Sequence, residues 1–156
     1  MRAVVQRVTK ASLTSDGVPF SSIGKGLAVY IGFGPEDTEK EYQYMLDKIL
    51  GLRIFEDEAG KMNLSVCDIS GDILWIPNFT LYGDCRTGRR PSYSFGAPAD
   101  AAREMFGRFQ QMAIISTEQK TGQAGHCAFG VFQTDMQIMQ VNDGPVTLLI
   151  DSGKAF

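Results

Sequence analysis

Residues 27–33, Leu-Ala-Val-Tyr-Ile-Gly-Phe, form an unbroken apolar run of strand length that Gly34-Pro35 brings to an end. A run without polar alternation reads as a strand buried on both faces, so other parts of the chain must cover a sheet from two sides. Further strand-like segments surround it. Residues 3–8 alternate and are rich in valine, and Ser15-Asp16-Gly17 makes a hairpin turn leading into Val18-Pro19-Phe20. Arg53-Ile54-Phe55 reads as a short strand before an acidic turn through Gly60, and residues 73–81 as a strand broken by Pro77. Residues 128–132, 136–141 and 146–150 read as three strands joined by short turns.

Two helices are expected to pack on these strands. Thr38 with Glu41 forms a capping box, and Tyr42, Met45, Leu46, Ile49 and Leu52 follow at helical spacing. A second helix begins at Pro98, with Ala102, Met105, Phe106, Phe109, Met112 and Ala113 along one stripe. Between them, residues 83–98 are rich in Gly, Pro, Arg and Ser and read as loop, and residues 121–125 as a turn. The expectation is an α+β fold, a single domain over residues 1–156 with two helices packed on mixed or antiparallel β-sheets. Trp75 and the Met-rich stripe are assigned to the core.

Composition narrows the function. With 156 residues, 44% hydrophobic and 21% charged, the chain suits one globular domain with a full core. Charges interrupt the apolar residues of Met1-Arg2-Ala3-Val4-Val5-Gln6-Arg7, so no signal peptide is expected, and no apolar run is long enough to span a bilayer. Cys67, Cys85 and Cys127 lack C-x-x-C spacing and read as reduced thiols, which points to the cytoplasm. The net charge of −3 lacks the basic surplus of a protein that grips long duplex. No DNA or membrane partner is expected, and any nucleic-acid contact is local.

Several chemistries drop out. His126 is the only histidine, which excludes a two-histidine metal site; it reads as a solvated loop residue. Neither G-x-S-x-G nor G-x-x-x-x-G-K-[ST] occurs. No metal and no cofactor are expected. Two segments remain conspicuous: Pro77-Asn78-Phe79-Thr80-Leu81 and Asn142-Asp143-Gly144-Pro145-Val146-Thr147. Taken singly, Pro77 also fits an edge strand or bulge, and the second segment also fits a plain turn between strands.

Taken in order along the chain, these segments resemble the D-aminoacyl-tRNA deacylases, also called D-tyrosyl-tRNA deacylases. The resemblance includes Met1-Arg2-Ala3-Val4-Val5-Gln6-Arg7-Val8, Arg53-Ile54-Phe55 with Gly60-Lys61-Met62-Asn63-Leu64, and Phe79-Thr80-Leu81. It continues through Arg90-Pro91-Ser92-Tyr93-Ser94 and Asp135-Met136-Gln137 to Val141-Asn142-Asp143-Gly144-Pro145-Val146-Thr147. It implies a homodimer acting on the 3′ acceptor end of aminoacyl-tRNA. The Gly144-Pro145 turn of one subunit, with a cis peptide bond, would reach into the partner's pocket and leave no room for an L side chain. Arg7 would hold that turn. Gly144, Pro145, Asn78, Arg7, Asn142 and Met136 would then form the substrate-binding chirality gate, with Phe79 and Thr80 at the reaction centre. Such a gate cannot exclude glycine, so glycine mischarged onto tRNA-Ala is an expected substrate.

The scissile ester is labile, so a missing histidine base is tolerable. Backbone N–H groups around Phe79 and Thr80 are expected to stabilise the oxyanion, and the resemblance implies that the RNA's own 2′-hydroxyl helps activate water. Thr80 has two roles open to it, nucleophile or positioning group; a nucleophile needs a base, and none is identifiable. Arg86, Arg89 and Arg90 are candidate tRNA contacts in a loop that otherwise reads as simply basic. Pro77-Asn78 departs from the Ser-Gln usual in the family, and the proline is similar to a related branch that acts on L-alanine mischarged to tRNA. Phe79 and Arg7 argue against that branch. Phe129-Gly130-Val131-Phe132 stands where Thr-Gly-x-Phe is usual. A catalytically weak RNA-binding module is the reading from another class.

Overall fold

The computed structural model describes residues 1–122 and 127–155; the histidine at position 126 and most of the expected 121–125 turn lie outside them. Strands β1 (Arg2–Ser15), β2 (Val18–Ile23), β3 (Gly26–Gly32), β6 (Asp72–Pro77), β7 (Cys127–Phe129) and β8 (Met136–Asp151) form one sheet. β4 (Phe55–Glu56) and β5 (Met62–Leu64) make a separate small hairpin. The helices are α1 (Glu39–Leu50) and α2 (Ala99–Thr121). β1 pairs antiparallel with β2, β3 and β8, whereas β3–β6 and β6–β7 are parallel, so the sheet is mixed.

The expected capping box starts α1, and its Tyr42, Met45, Leu46 and Ile49 are buried. Gly122, at φ 70°, ends α2 in the left-handed conformation that glycine adopts at helix ends. Both helices cover one face of the sheet. There Phe109 meets Trp75 edge to face at 5.1 Å, and Phe33 packs against Tyr42 and Phe109. Leu27, Val29 and Ile31 point into this layer, whereas Ala28 points to the other face with Val8, Leu13, Leu74 and Ile76. β3 is therefore buried on both faces, as its unbroken apolar run requires.

Three expectations about strands need correcting. The strand expected at 128–132 ends at Phe129. Residues 73–81 break at Pro77 as expected but do not resume as strand: β6 stops there and a 3-10 turn, Phe79–Tyr82, follows. Pro77 closes a strand that lies between β3 and β7, where its missing N–H interrupts no ladder because β7 pairs only with residues 73–75. The segments at 136–141 and 146–150 are not separate strands joined by a turn. Both belong to β8, and both pair with β1. Gln6 faces Thr147 and Val8 faces Asn142, so residues 143–146 bulge out opposite Arg7.

The second face of the sheet curls over, so that Met136 and Ile138 of β8 pack with Leu13, Ala28 and Ile76. Gly130 makes this closure possible. A Cβ there would stand 3.0 Å from both Met136 Sδ and Pro77 Cδ. No helix among the described residues is long and apolar enough to cross a membrane.

Candidate active site

Asn78 caps the 3-10 turn that follows β6. Its Oδ1 accepts from Thr80 N at 3.1 Å and from Thr80 Oγ1 at 2.5 Å. Asn78 N donates to Ile31 O at 2.7 Å, which docks the turn on β3. Arg2 holds its far end: Nη1 donates to Leu81 O at 3.0 Å, and the guanidinium lies 4.6 Å above the Tyr82 ring. Phe79 stands at the first position of the turn, 58% exposed, with its ring against Tyr93 at 5.2 Å. Its N–H has no acceptor among the described residues, as is usual for the first amides of a helical turn. The Thr80 N–H, expected to face a substrate, is instead engaged by Asn78. A side chain one methylene shorter than Gln folds back onto its own turn.

Beside this turn lies a cavity of about 280 Å³. Tyr30, Ile76, Pro77, Asn78 and Phe79 form one side, and Phe132, Gln133, Thr134, Met136 and Ile138 the other. Asn78, Phe79 and Met136 are thus brought together, and Phe132 proves to be a wall residue. Gln133 adopts φ 58°, a backbone region that side-chain-bearing residues seldom occupy. Its side chain is held by Arg103 of α2, which also lies 5.7 Å over the Phe132 ring.

Gly144 and Pro145 do not line this cavity in their own chain. They sit exposed at the tip of the excursion, joined by a cis peptide bond as expected. Arg7 is only 7% exposed, which excludes a solvent-pointing side chain. Its Nε lies 3.2 Å from Asp143 O and 3.2 Å from Asp143 Oδ2, and its Nη1 donates to Ile54 O at 2.5 Å. Gly144 takes φ 125°, and a Cβ there would come within 2.9 Å of Val146 N and 3.2 Å of Arg7 Nη2. Asn142 spans the base of the excursion, its Nδ2 3.5 Å from Thr147 Oγ1, while its buried Oδ1 has no partner among the described residues.

The three arginines of the following loop differ in kind. Arg86 is clamped onto Asp84 by two 2.8 Å contacts, and these hydrogen bonds hold the Asp84 carboxyl down at about 2. Arg89 and Arg90 are exposed and form no ion pair among the described residues.

Four residues that were not singled out as site candidates complete the surroundings. Tyr30, Gln6, Gln140 and Thr147 link the cavity to the excursion through side-chain hydrogen bonds. Gln6 and Thr147 lie in the resembling segments 1–8 and 141–147, and Tyr30 is the one hydroxyl in the apolar run at 27–33, whereas Gln140 carries no such signal.

A sequence model of the D-Tyr-tRNA(Tyr) deacylase family matches residues 4–151. A D-aminoacyl-tRNA deacylase of Desulfitobacterium hafniense is 53% identical over 156 residues, with 100% of both chains covered. One of Syntrophobacter fumaroxidans is 50% identical over the same span, again with 100% of both chains covered. Among solved structures, a c-Myc DNA unwinding element binding protein superposes with a TM-score of 0.88 at 38% identity, over 97% of this chain and 98% of that one. With the family model covering nearly its whole length and relatives identical at half of all positions, this chain belongs to the D-Tyr-tRNA(Tyr) deacylase family.

Proposed function

We propose that the protein hydrolyses the ester of D-aminoacyl-tRNA, releasing free D-amino acid and tRNA, through one deacylase domain over residues 1–156. The observation that carries this reading is the cavity beside the Asn78-capped turn, in a chain of this family. Its aromatic and apolar walls with a few polar groups suit the 3′-terminal adenosine, and its volume has room for one nucleoside. Water adds to the ester carbonyl, the Phe79 N–H receives the developing oxyanion, and the ribose oxygen leaves. The vicinal 2′-hydroxyl of the RNA helps activate the water. Thr80 acts as a positioning group, because its hydroxyl donates to an amide oxygen, which is no base.

The Gly144-Pro145 tip serves the cavity of a second copy. Three observations support a homodimer: the tip misses its own cavity, Leu149 is 63% exposed on β8 beside Thr147, and Asn142 Oδ1 is left buried without a donor. An unpaired buried acceptor costs about 1–3 kcal/mol, which a donor from the second copy would recover. Rejection by rigid backbone excludes L side chains and admits glycine, so glycine mischarged onto tRNA-Ala is also cleaved. Such substrates place the protein in the cytoplasm.

The second reading, relaxed handedness toward L-alanine, is favoured by one observation: the Asn78 amide oxygen is engaged by Thr80 within its own turn. Incubation with D-Tyr-tRNA, L-Tyr-tRNA, Gly-tRNA and L-Ala-tRNA at matched concentrations separates the readings. Cleavage of D-Tyr and Gly esters alone supports the first, cleavage of the L-Ala ester the second, and no cleavage an RNA-binding module.

A further inference from the structure

The base of the excursion is restrained on both faces of the sheet. On the helix side Arg7 grips Asp143. On the other face Gln6 Nε2 donates to Thr147 Oγ1 at 3.2 Å, the same oxygen that Asn142 approaches across the neck. Gln6 does not act alone. Its Oε1 accepts from Gln140 Nε2 at 2.6 Å, and Gln140 Oε1 accepts from the Tyr30 hydroxyl at 3.1 Å. Tyr30 is a wall of the cavity. Each amide turns its oxygen to the preceding donor and its NH₂ to the next acceptor, so every link sets the orientation of its neighbour.

We propose that Gln6 and Gln140 are positioning residues that set the stereochemical selectivity of the reaction, by tying the neck of the Gly144-Pro145 excursion, whose tip serves a second copy, to Tyr30 of its own chain and so holding the tip still. The proposal rests on the reading of that excursion as the gate. Across residues 143–146 the ladder between β1 and β8 is interrupted, because β1 offers only Arg7 there. Side chains must therefore supply the restraint that backbone pairing supplies elsewhere. A gate that rejects by contact discriminates only while it holds still, and a displacement of about 1 Å is enough to misplace reacting groups. Arg7 alone would leave the tip free to pivot about one side; the Tyr30–Gln140–Gln6–Thr147 chain fixes the other.

The test uses the full chain and single-turnover cleavage of D-Tyr-tRNA and L-Tyr-tRNA. Gln6→Met and Gln140→Met keep side-chain length and remove the polar atoms. Thr147→Val keeps shape and removes the hydroxyl that Gln6 reaches, which covers the case in which a methionine variant fails to fold. The expected result is a fall of about threefold to tenfold in the D/L rate ratio, the worth of one hydrogen bond. The double methionine variant should fall no further than the larger single effect, because both residues act through one chain. A merely structural role would slow both esters together and leave the ratio unchanged. Unchanged ratios in a selective wild-type background, or additive effects in the double variant, overturn the proposal alone. A wild-type protein that cleaves both esters alike overturns the gate itself.

Discussion

Arg7 Nε stands 3.2 Å from the backbone carbonyl of Asp143 and 3.2 Å from its carboxylate, so one buried guanidinium grips both ends of the residue that precedes Gly144. The same side chain reaches Ile54 O on the opposite side. It thereby fastens the excursion of β8 to the segment that leads into the β4–β5 hairpin.

Removing that grip should cost both stability and selectivity. Arg7→Ala is expected to lower unfolding free energy by about 1.5–3 kcal/mol, the range for hydrogen bonds to a charged group. Arg7→Lys keeps the charge and loses the planar fork, so it should restore part of the stability and less of the D/L ratio. Denaturant unfolding and paired D-Tyr and L-Tyr deacylation measure the two effects.

Thr80→Ala should retain deacylation within about tenfold of wild type, the scale of one lost hydrogen bond. Asn78→Ala should cost more, because it removes the cap from the turn that carries Phe79, worth about 1 kcal/mol, and frees the Thr80 N–H as well. Near-complete loss in Thr80→Ala, with an acyl group trapped on Thr80 in wild type, would establish the nucleophile instead.

Salt dependence should separate the loop arginines. Arg89→Ala and Arg90→Ala are each expected to reduce the slope of log affinity against log salt by about 0.7–0.9 for tRNA. Arg86→Ala should leave the slope nearly unchanged, since Arg86 is already paired with Asp84. Equal effects at all three positions would contradict this division.

The Asp84–Arg86 pair also has a pH signature. Hydrogen bonding to Arg86 holds the Asp84 carboxyl down at about 2. Its contribution is complete above the ordinary carboxylate range and is lost as pH falls through about 2. Carboxyl NMR titration should find that low midpoint in wild type and a return to the ordinary range in Arg86→Ala. The loop should therefore keep its form throughout mildly acidic conditions.

The helices were legible from local chemistry. Thr38 and Glu41 bond each other within a few residues, and the apolar spacing of α1 and α2 needs no distant partner to be read. The end of β6 was legible only in part. Pro77 announced a break, but the 3-10 turn behind it depends on Asn78 closing onto Thr80. The unusual Asn thus marked a true departure, whose form appeared only with the folded turn.

What the sequence by itself determined was the family and the two-sided burial of β3. These follow from motifs, periodicity and side-chain chemistry carried within short stretches. Only the tertiary structure decided that Gly144-Pro145 is an excursion within one strand instead of a turn between two, because that depends on both flanking segments pairing with β1. It also decided that Gln6, Tyr30, Gln140 and Thr147 meet. The physical reason is distance along the chain. Those contacts join residues more than a hundred positions apart, and strand pairing with sheet curvature, not local propensity, brings them within hydrogen-bonding reach.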